Sequence, residues 1–166
     1  RDDLQSIHAE INGMIFLQSA QGPIKLTARA DRLEYDKKGQ WTIVDYKTGT
    51  VPSGSLIKKG LRNQLAVEGL IAFDGGFESL PAGAIRSLEY WQLSGKKSAP
   101  GEIKTPFAGL FDADEVRDRL ERLANYFDQI NTPYPSEREP INVPPFKPYQ
   151  HLSRRREWLY GDNTDE

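Results

Sequence analysis

Two aspartates and a lysine in neighbouring strand-like segments could together hold a metal ion. Asp31 lies in a segment that ends at Tyr35, and Asp45 and Lys47 lie in the next one. Magnesium binds one or two carboxylates and fills its other positions with water and substrate phosphate. A metal-bound water is more acidic and can attack phosphorus, while a lysine stabilises charge in the transition state. These residue types indicate hydrolysis of a phosphodiester.

A predicted hairpin loop fixes how the two segments pair. The loop Lys37–Gly39 places a glycine where a type I turn followed by a bulge requires positive φ. This register sets Asp31 directly opposite Asp45, with Cβ atoms roughly 4.5–5.5 Å apart, and Lys47 points to the same face. Because like charges directly opposite each other destabilise a strand pair, a divalent cation would turn this cost into a binding site.

The same spacing also allows a structural interpretation. An aspartate and a lysine two residues apart on a strand are common, and they can form a surface ion pair worth about 0–1 kcal/mol. Short motif matches carry a high false-positive risk. Spacing alone leaves both the metal site and the surface ion pair open.

The elements around these residues are predicted from hydrophobic periodicity and turn signals. Their order predicts the α/β fold class, a mixed β-sheet flanked by helices. The predicted strands are two within residues 11–35 around the turn Ser19–Pro23, a third over Trp41–Lys47 and a fourth over Ile85–Leu93. The predicted helices run from Leu56 or Gly60 to Phe73, and from a cap at Asp112 or Asp114 through a buried stripe of Val116, Leu120, Leu123, Phe127 and Ile130.

The C-terminal part is predicted to be less regular. Residues 131–148 contain six prolines and should cross the surface without regular structure. A short basic helix is predicted over Tyr149–Tyr160, and residues 161–166 form a tail that frays. With 166 residues, the chain has the length of one domain, and we expect a single domain over residues 1–166.

Composition excludes several classes of site. The 166 residues contain no cysteine, which rules out disulfides, zinc–thiolate sites and iron–sulfur clusters. No apolar run approaches the ~18 residues of a membrane span, so we expect no membrane partner and a cytoplasmic protein. The net charge of −2 gives no global basic surface for nucleic acid. Any contact with DNA must therefore be local.

Three motifs follow one another along the chain: Ala28–Glu34, Ile43–Gly49 and Gln64-Leu65. Their residues and order resemble the RecB-type branch of the PD-(D/E)XK nucleases, and within that branch the sequence is most similar to AddB-type helicase–nuclease subunits. The resemblance runs from about Glu10 to Trp158 and includes Gly60–Glu68, Gly75–Phe77 and the tail His151–Arg154.

The resemblance implies roles for individual residues. It implies that Asp31 and Asp45 are metal ligands, that the backbone carbonyl of Tyr46 is a third, and that Lys47 is the catalytic lysine. Gln64 would steady the site or the DNA. The implied activity is DNA cleavage with magnesium, or with manganese in its place, in double-strand break repair beside an AddA-type helicase–nuclease. The alternatives are a catalytically silent nuclease-like module that grips DNA or has a structural role, and a protein-interaction domain.

The sequence departs from the family pattern at several positions. Glu68 stands where many relatives have tyrosine, which leaves its role open, and Ala28 stands where the branch often has glycine. The family's first motif, a helix with a histidine, is missing, and His8 is expected to precede its own strand. We therefore expect an N-terminally truncated fragment of a longer chain that alone cuts DNA little or not at all.

Other residues have weaker claims to a functional role. His8 and His151 are expected at capping or surface positions, and Arg154–Arg156 on a solvated helix face with DNA contact as the alternative. Glu10 is a less favoured candidate for a group that supports the site. The aromatic residues Tyr90, Trp91 and Phe127 fit core positions better than base-stacking ones.

Overall fold

A five-stranded mixed sheet with two helices forms the described part of the chain. The computed structural model describes residues 2–52, 63–96, 99–107 and 111–134. The strand order is β1-β2-β3-β4-β5; β3 and β4 are parallel, and the other neighbouring pairs are antiparallel. The elements are β1 Leu4–Leu17, β2 Ile24–Asp36, β3 Gln40–Lys47, α1 Gln64–Phe73, β4 Ala84–Lys96, β5 Ala99–Lys104 and α2 Ala113–Phe127. This architecture confirms the predicted fold class.

The hairpin between β2 and β3 has the predicted loop and register. Gly39 adopts a φ of 77°, the left-handed conformation that glycine tolerates best. The Asp36 carboxylate accepts hydrogen bonds from the backbone N–H groups of Lys38 at 2.9 Å and Gln40 at 3.0 Å. In the strands that flank this turn, Leu33 pairs with Ile43, and both side chains are buried. The turn therefore fixes which residues of β2 and β3 face each other.

The strand β1 is longer than predicted. It pairs with β2 along nearly its whole length, from Leu4 opposite Asp36 to Leu17 opposite Ile24. The expectation that His8 precedes its own strand is therefore wrong, since His8 lies within β1 opposite Leu33. The physical reason is the long partner strand β2, which offers backbone hydrogen bonds to residues of β1 well before Ile11, where the predicted strand begins.

Helix α1 connects the parallel strands β3 and β4 and packs on the sheet. Parallel neighbours require such a crossover, and Gln64 at the start of α1 contacts Lys47 at the carboxyl end of β3. The helix ends at Phe73 as predicted, and Gly75, with a φ of 72°, follows it. The described helix begins at Gln64, and the predicted starts at Leu56 and Gly60 lie outside the described residues.

The hydrophobic core lies between the sheet and the two helices. Among the described residues, Trp41 is the largest fully buried side chain, and its indole N–H donates to the Pro81 carbonyl at 3.1 Å. Tyr90 is also fully buried, which confirms its core assignment. The core comprises Ile15, Leu17, Ala30, Leu33, Trp41, Ile43, Val51, Leu65, Ala66, Leu70, Ile71, Ala72, Phe77, Leu88, Tyr90, Ala113 and Val116.

Helix α2 begins as predicted but buries only the first part of its predicted stripe, since Val116 lies in the core and Leu120 packs against it. Asp112 caps it, accepting from the N–H groups of Asp114 and Glu115, both at 3.0 Å. Val116 is buried, whereas Leu123 is 43% exposed and Ile130, beyond the helix end, is 98% exposed. The later turns of α2 instead present polar side chains to the loop between β1 and β2. Side-chain oxygens of these turns accept hydrogen bonds from backbone N–H groups of the loop. The donors and acceptors are Gln18 and Glu121 at 2.9 Å, Ala20 and Asn125 at 2.7 Å, and Gln21 and Asp128, just past the helix, at 3.4 Å.

Some features fall outside these predictions. Strand β5, which pairs with β4 near Trp91, was not predicted. All described strands and helices belong to the compact unit Arg1–Gln129, and Ile130–Glu166 form a second unit. Within residues 131–148, only 131–134 are described, and they form no helix or strand; the predicted helix Tyr149–Tyr160 and the tail lie outside the described residues. No helix in the described ranges is long and apolar enough to cross a membrane.

Candidate active site

The ends of β2 and β3 bring Asp31 and Asp45 to neighbouring positions. The two strands are in register as far as Arg32 opposite Val44, and the two aspartates lie one residue further. The Asp31 carboxylate accepts a hydrogen bond from the Tyr46 backbone N–H at 3.1 Å. This bond ties Asp31 to the residue that follows Asp45. The backbone therefore determines where both carboxylates lie.

Asp45 and Lys47 form an ion pair in which the carboxylate is buried and the lysine is partly exposed. Asp45 is 1% exposed, and the Lys47 side chain is 30% exposed. The Lys47 ammonium donates to Asp45 Oδ1 at 2.9 Å and lies 2.6 Å from Oδ2, without hydrogen-bond geometry to the latter. The ammonium also lies 5.7 Å from the centre of the Tyr90 ring. The cation is thus held by a carboxylate and an aromatic face.

The positive charge of Lys47 does not fully offset the effects that disfavour the ionised form of Asp45. Burial raises the pKa of Asp45, and the nearby negative charge of Asp31 adds to this rise. The hydrogen bond and positive charge of Lys47 lower the pKa, but do not cancel the effect of burial. A further cation at this position would favour the ionised carboxylate. This is the electrostatic condition that a metal-binding carboxylate requires.

Gln64, at the start of α1, joins the same group of side chains. Its Oε1 accepts a hydrogen bond from the Lys47 ammonium at 3.3 Å. Its Nε2 donates to Glu68 Oε1 at 3.2 Å. Residues four apart on a helix lie on one face, so Gln64 and Glu68 reach the sheet together. The structure therefore brings together four of the predicted site residues: Asp31, Asp45, Lys47 and Gln64.

Glu68 is the residue of this group whose role the sequence left open. It is 1% exposed, and its Oε2 has no hydrogen-bond partner among the described residues. Burial raises the pKa of Glu68 to about 8, and the negative charges of Asp45 and Asp31 raise it further, against the effects of Gln64 and Lys47. The available signal was a glutamate on the buried, otherwise apolar face of a helix, four residues after Gln64.

The donor set of this site fits a magnesium ion. Within the described residues, no group of three or more histidine, cysteine, aspartate or glutamate side chains is arranged to hold a metal. Magnesium does not need such a group, because it usually binds one or two carboxylates and retains several waters. Among the residues that the structure describes, the buried Asp45 Oδ2 has no hydrogen-bond partner, and Asp31 lies close enough for its charge to raise the pKa of Asp45. Two neighbouring carboxylates therefore match the protein ligands that magnesium usually takes.

The other candidate residues lie apart from this group. His8 Nε2 contacts Ser6 Oγ at 3.0 Å, and its ring meets the edge of Trp41. Glu10 is exposed and pairs with Arg29. Neither contact involves the aspartates. The remaining candidates His151 and Arg154–Arg156 lie outside the described residues.

Comparison with known proteins establishes the family. The chain matches the PD-(D/E)XK nuclease superfamily over residues 1–148, and it belongs to that superfamily. It is similar to an uncharacterized protein of Rickettsia bellii, with 43% identity over 77 residues that cover 46% of this chain and 9% of the relative. An uncharacterized protein of Rickettsia typhi is 39% identical over 94 residues, covering 57% of this chain and 10% of the relative. The chain thus spans about a tenth of the length of these relatives.

Proposed function

We propose that this chain is a magnesium-dependent deoxyribonuclease domain in which Asp31, Asp45 and the Tyr46 carbonyl hold the metal ion. The observation that carries the proposal is the Lys47 ammonium, fixed between the buried Asp45 carboxylate and the Gln64 amide. The chain belongs to a nuclease superfamily, and this arrangement contains side chains that can perform phosphodiester hydrolysis. Manganese, which also accepts oxygen ligands, should replace magnesium.

The side chains of the site have separate tasks in this reaction. A bound magnesium ion supplies an acidic water and neutralises charge on the phosphate. Lys47 places its positive charge where the phosphoryl oxygens gain negative charge, and Asp45 and Gln64 keep the ammonium in place. Asp31 is held by the Tyr46 N–H, which keeps its carboxylate beside Asp45. Such prior positioning lowers the reorganisation required during the reaction.

We further propose that the domain acts as an exonuclease in a helicase–nuclease of the AddAB type that processes double-strand breaks. The support is the series of motifs around Asp31, Asp45 and Gln64, which resembles AddB-type sequences. An AddA-type subunit would be the partner and would supply DNA that has been unwound. The small net charge of −2 agrees with a domain that receives DNA from another part of an assembly.

Cleavage by variants of the full-length protein tests this function. Asp45→Ala and Lys47→Ala should each abolish magnesium-dependent cutting of end-labelled DNA, while ATP-driven unwinding continues. Asp36→Asn is the matched control: Asp36 is a buried carboxylate on β2 that pairs with Arg86 at 3.0 Å, away from the site. Asparagine keeps the Oδ1 acceptor of the hairpin turn, so the folded variant retains the register that places Asp31 and Asp45. This variant should cut DNA as the wild type does. Wild-type cutting by Asp45→Ala would refute the assignment and favour a catalytically silent module.

A further inference from the structure

Glu68 is the one charged residue among the buried positions of helix α1. The other buried residues of this helix are Leu65, Ala66, Gly69, Leu70, Ile71 and Ala72, all small or apolar. A carboxyl group transferred to such a position loses its hydration and is costly unless it makes compensating interactions. Core packing alone would be served better by an apolar side chain. Glu68 therefore has a task that packing does not explain.

The contacts of Glu68 lead to the lysine of the site through a single intermediate residue. Glu68 Oε1 accepts from Gln64 Nε2 at 3.2 Å, and Gln64 Oε1 accepts from the Lys47 ammonium at 3.3 Å. The same ammonium donates to Asp45 at 2.9 Å. These bonds form a continuous chain from the interior of α1 to the end of β3.

This chain of hydrogen bonds constrains which way the Gln64 amide faces. A glutamine amide has an acceptor end and a donor end. The oxygen must face the Lys47 ammonium, because an NH2 group there would oppose a cation. The NH2 group then faces Glu68, where a carboxyl oxygen accepts its hydrogen bond. Gln64 is exposed, so an apolar residue at position 68 would remove the buried acceptor of this NH2 group and leave the amide free to rotate toward water.

We propose that Glu68 is a positioning residue of the nuclease site, which orients the Gln64 amide so that its oxygen keeps the Lys47 ammonium beside Asp45. The inference rests on the proposed function and extends it to a residue that the family resemblance left without a role. Within the described ranges, the hydrogen bond of the Glu68 carboxyl group runs through Oε1 to Gln64. The raised pKa of Glu68 agrees with the inference, because a neutral carboxylic acid accepts through its carbonyl oxygen and adds no charge beside Lys47.

A mutant cycle in the full-length protein tests the inference. Glu68→Leu should lower kcat for cleavage of labelled DNA by about 10- to 100-fold, a size typical of displaced catalytic groups, with KM unchanged. Gln64→Leu should cause a similar loss, and the double variant should be no worse than Gln64→Leu alone, because both changes break one chain. Glu68→Gln retains a carbonyl acceptor and should restore kcat to within about threefold of the wild type. Additive losses, or a Glu68→Gln variant as slow as Glu68→Leu, would overturn the inference.

A control variant separates positioning from general loosening of the helix. Ile71→Val removes one methylene group from a buried residue of α1 that takes no part in the chain. It should leave kcat unchanged although it weakens packing. If Ile71→Val lowers kcat as much as Glu68→Leu does, the effect belongs to the helix as a whole and the inference fails.

Unfolding measurements decide the inference without relying on activity. In urea unfolding, the Glu68→Leu and Gln64→Leu changes should be coupled by roughly fivefold in the unfolding constant, as expected for residues that share a hydrogen bond. Independent effects of the two changes would overturn the inference. A wild-type protein that cuts no DNA would refute the proposed function, while this coupling would still report whether Glu68 holds Gln64.

Discussion

Replacing Glu68 with glutamine removes a charge that the folded state accommodates poorly and retains an acceptor for the Gln64 amide. Burial raises the pKa of Glu68 from 4.5 to about 8, with further contributions from Asp45 and Asp31. The folded protein therefore binds this proton more tightly than the unfolded chain does. Stability contributed by the protonated carboxyl is complete below pH 4.5 and is lost as the pH rises to about 8.

The size of the effect follows from the pKa difference. One pKa unit corresponds to about 1.4 kcal/mol, so the ionisable carboxyl lowers the free energy of unfolding by roughly 3 kcal/mol at pH 7. For a domain of this length, 1 kcal/mol shifts the melting temperature by about 2–4 °C. Without divalent metal, Glu68→Gln should therefore melt roughly 6–12 °C above the wild type at pH 7, and the difference should nearly vanish at pH 4.

Urea unfolding followed by tryptophan fluorescence measures the difference in the free energy of unfolding between Glu68→Gln and the wild type, because Trp41 is buried in the core. The measurement runs from pH 4 to 8.5 in EDTA. Asp36→Asn is the control of opposite sign: burial opposes the shift, but hydrogen bonds from Gln40, Lys38 and Arg86 lower the pKa of Asp36. Its neutralisation should therefore destabilise the protein at pH 7. Parallel pH profiles for the wild type and Glu68→Gln would refute the reasoning about Glu68.

Two further predictions concern residues at the ends of the two helices. Gly76→Ala should lower the free energy of unfolding by about 1–3 kcal/mol, because an added Cβ would collide with the backbone carbonyl of Met14; a loss below 0.5 kcal/mol in urea unfolding would contradict this. Asp112→Ala should cost about 1 kcal/mol, since it removes the cap of α2, and should leave DNA cleavage by the full-length protein unchanged. Reduced cleavage by a folded Asp112→Ala protein would link α2 to the site.

The sequence predicted the hairpin because its geometry depends on local signals. Gly39 provides the positive φ that the loop requires, and a three-residue loop leaves little choice of register. The positions of Asp31 and Asp45 follow from that register. The alternation of strand side chains then places Lys47 beside Asp45. This half of the site depends on few long-range contacts and was therefore accessible from sequence.

The helix side of the site depended on tertiary contacts. Spacing alone could not show that Gln64 reaches Lys47, because the packing of α1 on the sheet decides it. The role of Glu68 was left open for the same reason. In α2, the period of 3.6 correctly indicated a helix but overestimated its burial, since Glu121 and Asn125 bind the β1–β2 loop and the later apolar residues stay partly exposed. Strand β5 contains Pro100 and Gly101, which mask strand propensity.

A titration with Mn²⁺, followed by the EPR signal of the free ion, tests most directly whether Asp31 and Asp45 hold a metal. The wild type should remove a single equivalent of Mn²⁺ from solution in the millimolar range. Asp31→Asn and Asp45→Asn should each abolish most of this binding, because magnesium and manganese sites depend on carboxylate oxygens. Asp36→Asn, with its carboxylate at the hairpin turn, should bind as the wild type does. Equal binding by the wild type and Asp45→Asn, or no binding by the wild type, would contradict the proposed metal site.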